Sequence, residues 1–176
     1  MASKRHSTAS AEPALRTPND IRESDRIVIA DALNAISADL SAFNADMRNS
    51  RWRLRGPHFR DYPLLLDEQA DTIIACVDPL AECARKPGMA ATRPIGDVAR
   101  RQRVKDDDRN FAAPKAMLSA HIDDNGACAT TQDAHETCED AKDAGLANLL
   151  EVCIDEAERR TWFLFEASRG ADGAGP

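Results

Sequence analysis

Apolar residues return every three or four positions along most of this chain, the spacing of helices that each bury one side. Ile29, Leu33, Ile36, Leu40, Phe43 and Met47 make the first seam, within a helix predicted from about Ile21 or Glu23 to Trp52. Gly56-Pro57 then breaks the chain and turns it back antiparallel. A second helix is predicted from about Phe59 to Lys86, with Pro63 in its first turn, where amide donors have no helical partner anyway. Leu66, Ile73, Val77 and Leu80 gather on its buried side. Pro79 lies inside this stretch and either kinks the helix or, with Asp78 as N-cap, opens a fresh one. After Lys86-Pro87-Gly88 a long connection, 87–113, holds a short helix of its own in IGDVARRQRV. A third helix is expected from Pro114 to about Asp140, thin in apolar volume beyond Met117, Leu118 and Ile122. The fourth, from about Ala144 to Ser168, lines up Leu146, Leu150, Cys153, Ala157 and Leu164, with Trp162, Phe163 and Phe165 near its end.

Two long helices, a structured crossover and two more helices describe an all-α four-helix bundle of ferritin-like connectivity, with a short extra helix between helices 2 and 3. The domain is expected over residues 21–169, between a flexible N-terminal tail, 1–20, and a flexible C-terminal tail, 170–176. A chain of 176 residues is one domain with a real core, and its 5% aromatic content suits helix-on-helix packing. The net charge of −7 opposes a body that coats nucleic acid by itself. Its apolar runs are too short to span a membrane, and the N-terminus lacks the apolar region of a secretory signal, so a cytoplasmic protein is expected. Cys76, Cys83, Cys128, Cys138 and Cys153 have no zinc spacing and read as reduced thiols, mostly small core residues.

The chemistry concentrates on the second helix. At about 100° per residue, Asp67, Asp71, Asp78 and Glu82 fall within roughly a 60° arc, away from the apolar side. Such a row is either solvated or holds cations. The usual di-iron site inside one bundle needs Glu-x-x-His, which this sequence lacks; His6, His58, His121 and His135 are scattered. There is no G-x-S-x-G and no phosphate-cradling glycine loop. Asp106, Asp107 and Asp108 read as a solvated acidic loop.

The stretches RWRLRGPHFRDYPLLLDEQAD, DPLAE and DEAERRTWFLFEASR resemble the Dps family (DNA-binding protein from starved cells), particularly its proteobacterial branch, over about residues 25–169. The resemblance implies a hollow homo-dodecamer that oxidises Fe(II) with hydrogen peroxide and stores the ferric iron as a starvation and oxidative-stress protein. It implies ferroxidase sites between two subunits, to which Asp67 of one and Asp78 with Glu82 of the other would contribute as catalytic metal ligands. Both family histidines are changed here, to Arg51 and Pro63. Arginine has no lone pair to offer and proline no side-chain donor, so the ferroxidase is expected to be impaired. Arg51 either replaces the metal as counter-charge to a neighbour's Asp78 and Glu82 or turns to solvent. His58 precedes the helix and is not expected to replace a ligand. Lys4 and Arg5 are the candidate DNA contacts, weak in one tail and strengthened by repetition over a shell, with the nucleoid as a further location. A non-catalytic shell is the alternative reading.

Overall fold

The computed structural model describes residues 13–169 except 57, 93, 106, 108, 109, 112, 128, 129 and 142. It contains α1 (Glu23–Arg53), α2 (Asp61–Arg85), α3 (Ile95–Arg101), α4 (Pro114–Ala127), α5 (Thr130–Asp140) and α6 (Ala144–Arg169), with a short 3-10 turn at Pro13–Leu15. Among the described residues there is no strand, and the fold is the expected all-α bundle. Lys4 and Arg5, and the whole C-terminal tail, lie outside the described residues.

α1 and α2 form an antiparallel hairpin: Arg51 meets Asp67 at its closed end and the Asn34 amide meets Ala90 O beyond its open end. The six α1 seam residues are all buried, as are Leu66, Ile73 and Leu80 of α2, while Val77 is partly covered. Each such side chain contributes roughly 1.5–3 kcal/mol by leaving water. α4 and α5 pack on α6, which completes the bundle. α2 continues through Pro79, so Asp78 caps nothing; only the Ala75 carbonyl loses its helical donor. Pro63 sits third in α2, within the turn that tolerates it.

The stretch predicted as the third helix is helical as α4 and α5, with positions 128 and 129 between them outside the described residues. Two expectations change. Residues 15–19, assigned to the tail, lie against the loop after α2. Thr17 donates its hydroxyl to Lys86 O, and a Cβ on Gly88 (φ +84°) would come within 3.0 Å of Leu15 O. Asp107 is not a solvated acid: its Oδ2 is 3.1 Å from Arg53 Nη1, and its side chain is mostly covered.

The crossover is tied to α1 by buried polar side chains on the seam. Asn34 Nδ2 donates to Ala90 O (2.9 Å), and the Asp39 carboxylate accepts from the Arg103 backbone N–H (2.7 Å) and guanidinium. These bonds fix where the chain passes over α1, and so carry Asp107 to its place beside Arg53.

Candidate metal centre

Position 51 lies in the last turn of α1, and the antiparallel register sets it opposite position 67 of α2. Arg51 Nη1 donates to Asp67 Oδ2 at 2.6 Å. One turn earlier, Arg48 Nη2 donates to Asp71 Oδ1 at 2.6 Å and places Nη1 3.8 Å from Asp67 Oδ1. Within one chain the counter-charge of Arg51 is therefore Asp67 of its own subunit, where the sequence pointed to a neighbour's Asp78 and Glu82 or to solvent. The arginine and the aspartate are each about one-third exposed (34% and 32%), so this is a partly solvated pair rather than a desolvated one. Asp67 Oδ1 is out of contact with solvent and makes no hydrogen bond among the described residues.

Asp78 and Glu82 are exposed on the same side of α2. Eleven residues at a rise of about 1.5 Å put Asp78 about 16 Å along the axis from Asp67, too far for one ion to touch both. The structure thus puts Asp78 and Glu82 one turn apart on α2 and keeps Asp67 away from both inside a subunit. Beside Arg51 and Pro63 is an open depression of about 470 Å³, lined also by Trp52, Phe59 and Leu64. These three apolar side chains are 71%, 58% and 55% exposed. His58, at φ +63°, points Nδ1 at Asp61 Oδ2 (3.3 Å) within its own turn.

A second cluster was not anticipated. Among the described residues, Asp46 of α1 with His121 and Asp124 of α4 brings three ligand atoms within 4.8 Å of one another. His121 is 1% exposed, its Nδ1 is 3.4 Å from Asp46 Oδ2, and its ring is tilted against Phe43. Neither ring nitrogen has a hydrogen-bond partner among the described residues. Burial first, and then the Arg53 guanidinium, hold the imidazole neutral by lowering its pKa to about 4, against a smaller opposing effect of Asp107. Burial raises the Asp124 carboxyl, against the hydrogen bond from the Lys105 backbone. The only local sequence signal was the His-x-x-Asp spacing on α4; Asp46 and Arg53 reach it only through packing.

The ferritin-like domain family matches residues 30–167. The chain belongs to this family. The ferritin-like chain superimposes on DpsC from Streptomyces coelicolor with a TM-score of 0.82 at 23% identity, covering 86% of this chain and 90% of that one. It is similarly close to an archaeal Dps homologue from Halobacterium salinarum (TM-score 0.80, 22% identity, 94% and 92% covered). A Dps protein from Vibrio cholerae, described as a member of a broad superfamily of ferritin-like diiron-carboxylate proteins, gives 0.79 at 19% identity, with 91% and 98% covered. No curated protein matches the chain. Among the described residues, no helix of this ferritin-like chain is long and apolar enough to cross a membrane.

Proposed function

We propose that the chain is a Dps-like subunit, of the proteobacterial type its motifs resemble, that sequesters iron in a hollow, cytoplasmic homo-oligomer of twelve copies. Fe(II) is held between two subunits by Asp67 of one and by Asp78 and Glu82 of the other. Hydrogen peroxide takes one electron from each of two Fe(II) ions and leaves as two hydroxides, and the ferric product is stored inside. The observation that carries the reading is the placement of the carboxylates. Asp67 lies beside an exposed apolar depression at one end of α2, while Asp78 and Glu82 stand uncovered about 16 Å and about 22 Å along the axis, which supports completion of the set by a second copy. Trp162, Phe163 and Phe165 on α6 are likewise exposed in the single chain, which supports burial against further copies.

Arg51 sets the expected rate. Its guanidinium holds the Asp67 oxygen that a metal would use, stays charged and repels the incoming cation. Oxidation is therefore slow. A second reading, a shell that assembles without oxidising iron, is favoured by the same Arg51 and by Arg48 3.8 Å from the other Asp67 oxygen. Lys4 and Arg5 give the assembled shell weak, salt-sensitive contacts to DNA phosphates.

Native mass measurement followed by anaerobic Fe(II) addition, then peroxide, tests both. A dodecamer-sized particle that forms ferric absorbance slowly and keeps iron through gel filtration supports the first reading. An assembled particle without ferric product supports the second. A monomer that releases all its iron overturns both.

A further inference from the structure

We propose that Asp46, His121 and Asp124 bind one divalent transition-metal ion inside each subunit, at a site separate from the carboxylates that meet between subunits. The ligand atoms come from two packed helices, α1 and α4, and lie within 4.8 Å of one another. His121 points to a ligand independently of the acids. It is 1% exposed, and neither nitrogen donates or accepts a hydrogen bond among the described residues. A buried polar group in that state is costly, and an ion on one nitrogen would relieve it. The 3.4 Å from Nδ1 to Asp46 Oδ2 equals the edge of a tetrahedron with bonds of about 2.1 Å, the length of zinc–imidazole and zinc–carboxylate bonds.

The surrounding charges allow a cation. Arg53 lies 3.2 Å from Asp46 Oδ1, the oxygen other than the one facing His121. Its own charge is matched by Asp107 at 3.1 Å. Lys105 donates its backbone N–H to Asp124, which orients that carboxylate without removing its negative charge. One imidazole and two carboxylates select zinc, ferrous iron, manganese or cobalt over calcium and magnesium, which take oxygen alone. The Asp46 side chain, 21% exposed, gives the ion access. This site does not depend on the iron oxidation proposed above.

Co(II) is the probe, because it reports its ligands by visible absorption and forms no ferric mineral. The full-length oligomer, stripped with chelator and carrying Asp67→Asn to silence the subunit boundary, is titrated by equilibrium dialysis and thermal melting. One Co(II) per subunit, with visible bands and a raised melting temperature, is expected. His121→Leu should weaken binding at least tenfold and abolish the rise, while melting no lower than its parent in chelator; Asp124→Asn should weaken binding as well. No uptake by the parent, or full retention by the folded His121→Leu protein, overturns the proposal.

Discussion

Arg51 and Arg53 leave the same last turn of α1 and end in opposite surroundings. Two residues rotate a helix by about 200°, so one guanidinium faces α2 at the surface and the other enters the space between α1, α4 and the crossover. Arg51 is 34% exposed and meets the half-buried Asp67. Arg53 is 15% exposed and touches Asp46 Oδ1, Asp107 Oδ2, Asp107 O and Ser50 Oγ. The first pair is open to water and salt; the second is a desolvated network in which each charge depends on the others. Residue type does not separate the two cases. Access to solvent does.

The largest expected effect is at Arg53. Arg53→Ala takes the guanidinium from two covered acids and should cost about 3–5 kcal/mol in urea unfolding, nearly independent of salt. A loss below about 1 kcal/mol would erase the contrast with Arg51. The double change Arg51→His with Pro63→His should come next: it converts a counter-charge into imidazole ligands and should speed peroxide-driven ferric formation at least tenfold over the parent, about 1.4 kcal/mol of barrier. No gain would mean that something other than Arg51 limits Asp67. Arg51→Ala should be smaller still, costing about 0–1 kcal/mol, and added salt should diminish even that.

The smallest effect concerns a thiol outside both networks. The hydrogen bond with Cys153, and more weakly the charge of Arg160, lower the Cys76 pKa from 9.0 to about 7 against the opposing effect of burial. Thiolate is the nucleophile, so Cys76 alkylation should rise about tenfold per pH unit below 7 and level off above it. Cys153→Ala should move that midpoint upward. An unchanged midpoint would remove the hydrogen bond as its cause.

The repeating apolar seam set much of this protein by itself. The spacing from Ile29 to Met47 marked the buried side of α1, and the row Asp67, Asp71, Asp78 and Glu82 on α2 was legible because a helix places residues by local rotation alone. The ends of α1, α2 and α6 and the start of α3 followed from the same periodicity and from Gly56, Pro63, Lys86-Pro87 and Pro94. Only the tertiary structure decided which charges meet. It placed Arg51 on Asp67, drew Asp107 from an acidic loop to Arg53, seated residues 15–19 against Gly88, and buried His121 between Asp46 and Asp124. The physical reason is range. Periodicity records what one helix hides, whereas ion pairs and ligand sets join residues far apart in the chain, and their strength depends on how much water the packed helices exclude.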